Sequence, residues 1–374
     1  MKKEMFKIAI LILGSLCSGC KEEKTPTSGD SDIFVALPSD PVLVENTSGD
    51  WLVYDLHIIA PTLHKVDILD QDGILLSYTD FINRDDQNIA SIWLEFEEIQ
   101  TGSTLRHEFN YVDANEEPKQ HIFELLLPTS LEAPKTIDFP VPSGIWLAEG
   151  APSESSYHTR AIFPFQEMYF DPEQKGYLIG NNPQRYAIDY VSLENGLPYK
   201  NDGNKLTDWY CYGMPILAVE GGKVLLTENA VPDNQTPGKL DYETTVDNVT
   251  GNVVYIEHED GSIGTYCHMI PGSVIVNVGD QVEAGQELGK LGNSGNSFAP
   301  HLHMHVMANP TGKPIIEYSD GLYFESLPYR YAGFEKLGSL VPGYLDHPPL
   351  APFVSTKSES FVNSLPAESD VIEF

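Results

Sequence analysis

Gly292-Asn293-Ser294-Gly295-Asn296-Ser297-Phe298-Ala299-Pro300-His301-Leu302-His303-Met304-His305-Val306 is the stretch on which the reading of this chain turns. A turn of Gly, Asn and Ser runs through a proline into strict alternation of histidine with an apolar residue. Period two marks a β-strand, so His301, His303 and His305 share one face while Leu302, Met304 and Val306 share the other. Three imidazoles on one strand face serve no packing purpose that Val or Thr would not serve better. Neutral imidazole is a preferred zinc ligand and titrates near neutrality, so metal ligation or acid–base chemistry is expected here.

The segments before this strand also read as β structure. Residues 212–226 form two short strands hinged at Gly221-Gly222, and residues 252–258 and 264–269 form two more. Further upstream, Gln184-Arg185-Tyr186-Ala187-Ile188-Asp189-Tyr190 sets Asp189 between two apolar neighbours, on the opposite strand face. Besides the histidine strand, candidate ligands are therefore His158, Asp189 and an isolated His268. A catalytic zinc commonly takes three protein nitrogen or oxygen donors and keeps one position for water. Spacing alone also permits His301 and His303 as joint ligands.

Residues 33–141 hold short apolar runs, such as 51–59, 65–69, 91–96 and 121–126. Turn clusters such as Asp70-Gln71-Asp72-Gly73 separate them. Regular short strands without helical period indicate an antiparallel sandwich. His57, His64, His107 and His121 lie there at no ligand spacing and read as surface or packed side chains. Punctuation at Pro140-Val141-Pro142-Ser143-Gly144 marks a domain boundary.

The 374 residues suit two domains, and 41% hydrophobic with 10% aromatic content suffices for real cores. Twenty-two basic residues against 55 acidic ones give a net charge of −33. Nucleic acid and anionic membrane surfaces are excluded as partners, because phosphate recognition needs a basic footprint. At the N-terminus, Lys2, Lys3 and Lys7 flank the apolar run 8–13, and Leu16-Cys17-Ser18-Gly19-Cys20 follows. A charged region, a short apolar region and small residues make a signal peptide. Its end resembles a bacterial lipobox, with Cys17 where Leu is usual and Cys20 as the lipid-bearing residue. Residues 20–32 read as a polar tether. The two remaining cysteines, Cys211 and Cys267, either pair outside the cytoplasm or stay as buried free thiols.

Taken together, Pro300-His301-Leu302-His303-Met304-His305-Val306 and its preceding turn resemble the signature strand of the lysostaphin-like (LytM-type) zinc endopeptidases. Tyr266-Cys267-His268-Met269 with residues 278–289, and residues 213–224, resemble that family's next motifs in the same order. The resemblance covers roughly residues 145–335. It implies a mostly antiparallel β domain with a narrow groove, Zn2+ as cofactor, and cleavage of peptides in bacterial peptidoglycan. It also implies His303 and Asp189 as metal ligands, and His268 and His301 as catalytic histidines that are not ligands. The family usually sets its first ligand histidine a few residues before the aspartate, where this chain has Arg185. Some members instead resemble Ser155-Ser156-Tyr157-His158-Thr159-Arg160-Ala161, which implies His158 as the third ligand. His258 and His305 are left as structural or supporting residues.

The expected architecture is all-β. It comprises a signal peptide (1–19), a lipid-anchored tether (20–32), a β-sandwich (33–141), a LytM-like peptidase domain (142–350) and a loosely packed C-terminal tail (351–374). The expected activity is zinc-dependent endopeptidase action on peptidoglycan peptides. The expected location is the cell envelope, as an outer-membrane lipoprotein held through a lipid on Cys20 and facing the periplasm or the surface. The alternative is an inactive LytM-like module that binds wall peptides or activates a partner hydrolase.

Overall fold

The computed structural model describes residues 33–84, 87–171, 176–245, 247–308, 324–341, 352–355 and 357–374. The expected signal peptide, Cys20 and the expected tether lie outside these residues. The described residues fall in one compact unit. It is built of β-strands, and the only helical elements among the described residues are two 3-10 turns, Phe96–Glu98 and Leu206–Asp208.

Two sheets form the N-terminal part. One carries Gly49–Ile59 between Phe34–Ala36 and Gln87–Glu95, and the other orders Ile74–Tyr78, Thr62–Leu69, Thr104–Val112 and Pro118–Leu126. Alternation decides what each face does. Leu52, Tyr54, Leu56 and Ile58 enter a core shared with Val66, Ile68, Leu105, Phe109 and Tyr111. Val53, Asp55 and His57 point to the other face, and all three are also buried. Val53 joins Val44 and Trp93 in a second core, with the side chains of the C-terminal part. Of the four scattered histidines, His57 and His107 are buried and His64 is exposed.

The C-terminal part is organised on a sheet whose centre runs Tyr329–Ser339, Asp370–Glu373, Ile145–Glu149, Ile188–Ser192, Leu302–Ala308, Ser262–Met269, Asn252–Glu257 and Gly222–Glu228. These neighbours pair antiparallel, while Lys135–Ile137 adds to Tyr329–Ser339 in parallel. Ile188, Tyr190, Leu302, Met304 and Val306 lie in its core with no more than trace exposure. The alternation of the histidine strand therefore has its apolar face fully buried.

The C-terminal residues correct one expectation. They do not pack loosely: Asp370–Glu373 is inserted between Ile145–Glu149 and Tyr329–Ser339, with Val371 and Ile372 at 0% exposure. A segment of four residues carries too little periodicity to show as a strand, and only its two partners make it one.

Candidate metal centre

Register brings the site together. Asp189 pairs across the ladder with Glu149 on one side and with His303 on the other. Residues directly opposite in a ladder put their side chains on one face, so the three form a row at the mouth of a groove. The groove encloses about 790 Å³; its walls include Tyr199, Trp209 and Phe298, and the acidic Glu149 and Asp202.

His158 reaches the row from the turn after Ile145–Glu149. That turn needs Gly150, whose φ is +58°, and a Cβ there would stand 2.5 Å from the Tyr157 ring and 2.9 Å from the His158 ring. The Gly150 carbonyl accepts hydrogen bonds from His158 Nδ1 (2.8 Å) and Ser156 Oγ (2.7 Å). Asn182 Nδ2 donates to the His158 and Thr159 carbonyls, closing the turn. A carbonyl only accepts, so His158 carries its proton on Nδ1 and turns the Nε2 lone pair to Asp189 Oδ1, 3.5 Å away. Burial pushes the His158 imidazole down to about 4, against the pull of Asp189, and keeps it neutral near neutral pH.

His303 Nδ1 lies 2.9 Å from the same Oδ1. The donor atoms of His158, Asp189 and His303 all fall within 4.8 Å of one another, and all three residues are buried. Ligands held tetrahedrally at ~2.0–2.2 Å stand about 3.3 Å apart, so this buried N,O,N set suits zinc in spacing and in donor chemistry. Burial works to raise the Asp189 carboxyl, yet His301, His158 and His303 around it hold it well below the usual carboxylate range. Its other oxygen accepts a 2.6 Å hydrogen bond from the Tyr157 hydroxyl and lies 3.6 Å from His301 Nε2.

His301 and His268 flank the trio, with ring centroids 4.7 Å apart. His301 Nδ1 donates to the Ala299 carbonyl at 2.8 Å and His268 Nδ1 to the Ser294 carbonyl at 2.7 Å. Both rings thus leave Nε2 as the free lone pair. Burial, then His301 and His303, hold His268 well below its ordinary value. Both acceptor carbonyls belong to the segment 292–300 that leads into the strand, and its Gly/Asn/Ser turn is itself held from behind. Asn234 Nδ2 donates to the carbonyls of Asn293, Gly295 and Ser297. Gly295, at φ +80°, comes so near the 251 backbone that a Cβ would meet Gly251 N at 2.4 Å.

The five expected site residues, His158, Asp189, His268, His301 and His303, therefore converge on one groove. His305 does not compete for the ligand position: its Nδ1 meets His303 on the far nitrogen, Nε2, at 2.9 Å. His258 stays outside the groove, with Nδ1 on the Gly221 carbonyl. Arg185 turns away from the site and forms a buried ion pair with Asp55 of the first sheet. Cys211 and Cys267 are free and buried, and the Cys211 thiol donates to the Pro300 carbonyl. No sequence signal pointed to Tyr157 on Asp189 or to Asn234 behind the turn. Both contacts join residues 32 or more apart, at no recurring spacing.

Parts of this chain are similar to known proteins. Residues 203–315 match the model of peptidase family M23. Among curated proteins, the cell division protein DipM of Caulobacter vibrioides is 29% identical over 118 residues, covering 32% of this chain and 16% of that protein. Peptidoglycan DD-endopeptidase ShyC of Vibrio cholerae is 39% identical over 59 residues, or 16% of this chain and 13% of that protein. The solved catalytic domain of the antimicrobial peptidase lysostaphin from Staphylococcus simulans shares 23% identity. It covers 39% of this chain and 77% of that one, with a TM-score of 0.21. This chain spans between 13% and 39% of the length of the first curated relatives it matches.

Proposed function

We propose that the chain is a zinc-dependent endopeptidase that hydrolyses peptide bonds in peptidoglycan, held in the cell envelope by a lipid on Cys20. The observation that carries this reading is the convergence of His158 Nε2, Asp189 Oδ1 and His303 Nδ1 beside two further Nε2 lone pairs in one groove. A module that only bound wall peptides would have no use for His268 and His301. Its peptidoglycan substrate rests on similarity to relatives named as peptidoglycan endopeptidases.

His158, Asp189 and His303 would hold the zinc, which when bound supplies Lewis acidity, lowering the pKa of an attacking water and polarising the scissile carbonyl. His301 Nε2 lies on the Asp189 side of the groove, 3.6 Å from Oδ2, where it takes a proton from the attacking water and returns it to the leaving amine. His268, neutral through burial and with its proton on Nδ1, stands across from it and turns its Nε2 lone pair to the groove, where it accepts a hydrogen bond from the attacking water. The Ala299 and Ser294 carbonyls fix both rings, so no reorientation is needed during turnover. The apolar and aromatic walls seat the peptide and exclude water around the carbonyl.

The test is zinc content per mole together with release of new amines from purified peptidoglycan. His158→Ala, Asp189→Ala and His303→Ala are expected to lose metal and activity together. His268→Ala and His301→Ala are expected to keep metal and lose activity. A folded, metal-free wild type that binds the wall without cutting it overturns the enzyme reading in favour of a binding or activating module.

A further inference from the structure

We infer that His305 is a positioning residue for the metal centre: it accepts the Nε2 proton of His303 and so leaves Nδ1 of His303 free to bind the ion. This rests on the peptidase reading above and adds to it a residue that the ligand trio and the two flanking histidines leave without a role.

The geometry is specific. His303 and His305 are two apart on Leu302–Ala308, share a strand face, and pack edge to face with centroids 5.1 Å apart. His303 Nδ1 faces Asp189 Oδ1 at 2.9 Å and His303 Nε2 faces His305 Nδ1 at 2.9 Å. A neutral imidazole has one proton for two nitrogens. When Nδ1 ligates a metal the proton must sit on Nε2, and the acceptor of that proton fixes both the tautomer and the ring orientation. His305 Nδ1 fills that place, which requires the proton of His305 to lie on its own Nε2. That atom is buried and has no hydrogen-bond partner among the described residues. A residue present only to fill space would have no reason to be a buried imidazole with one nitrogen unpaired, since an apolar side chain avoids that cost. His305 is itself 3% exposed and lines the groove wall, so bulk water does not substitute for it as the acceptor.

Two variants of the full chain separate acceptance from packing. In His305→Asn, Oδ1 occupies the place of Nδ1 and still accepts; in His305→Leu, a methyl of the same size occupies it and does not. Zinc affinity, measured by competition with a chromophoric chelator, is expected to fall about 10–100-fold in His305→Leu, the usual effect of losing the partner of a ligating histidine. His305→Asn is expected to stay close to wild type. Ring-nitrogen NMR on the zinc-loaded wild type is expected to show His305 protonated on Nε2 with Nδ1 as acceptor, which keeps the test decisive if the Leu variant does not fold. Equal zinc affinity in the two variants, or a proton on Nδ1 of His305 in the loaded wild type, overturns the positioning role alone. A wild type that takes up no zinc overturns the peptidase reading, and this role with it.

Discussion

Replacing Arg185 by Met tests what its buried ion pair with Asp55 contributes to the fold. The Arg185 side chain is 7% exposed and the Asp55 side chain 4%, and they form an ion pair between the first sheet and the segment leading into Asp189. Burial pushes the Asp55 carboxyl up, and the Arg185 guanidinium pulls it back towards the ionised form. Without Arg185, Asp55 keeps its burial and loses its cation. Breaking such a pair on one side costs about 3–5 kcal/mol, whereas replacing both partners by apolar residues is often close to neutral. Arg185→Met is therefore expected to lose about 3–5 kcal/mol by denaturant unfolding at pH 7.5, and Arg185→Met/Asp55→Leu to recover most of it. The sign with pH follows from the carboxyl. Unpaired and buried, its folded pKa lies further above the unfolded value, so the deficit is full at high pH and shrinks as the pH falls and the group takes up a proton. A single variant costing under about 1 kcal/mol, or a double variant costing the sum of the singles, refutes the buried-pair account.

Ile372→Ala is expected to cost about 2–5 kcal/mol, because a side chain at 0% exposure leaves a cavity between two strands; a loss below about 0.5 kcal/mol means the C-terminal strand is not part of the folded sheet. Burial and the Arg185 charge push His57 down to about 3, and burial, against the Phe123 carbonyl, pushes His107 down to about 4. Both folded values lie below the unfolded value of ~6.5, so stability present above that pH is lost as the pH falls, at up to about 1.4 kcal/mol per pH unit for each. Equal unfolding midpoints at pH 7.5 and 5 exclude this contribution. Cys20→Ala is expected to move the protein from the membrane to the soluble fraction with its circular dichroism unchanged. Retention in the membrane pellet, or no uptake of labelled fatty acid by the wild type, excludes the lipid anchor.

The sequence by itself determined the strand character and the inward chemistry of 301–306, since alternation with period two commits both faces at once. It also determined the all-β class and the relation to LytM-type peptidases, because both rest on local patterns: short apolar runs, turn residues, and motifs in order. Asp189, His303, His301 and His268 were legible for the same reason, each lying within a recognisable local stretch. Only the tertiary structure decided which side chains meet. His158 joins the trio because a left-handed turn at Gly150 folds residues 150–158 back over Asp189, a geometry no spacing encodes. Asp370–Glu373 is a central strand only because Ile145–Glu149 and Tyr329–Ser339 flank it. The different placements of Arg185 and His305, one turned into the first sheet and the other set against His303, depend on contacts with what each happens to face. A sequence records which groups a strand presents, but the partner across the sheet or in the neighbouring core is fixed only when the chain closes, and that partner decides whether a buried charge is paired or an imidazole nitrogen is free.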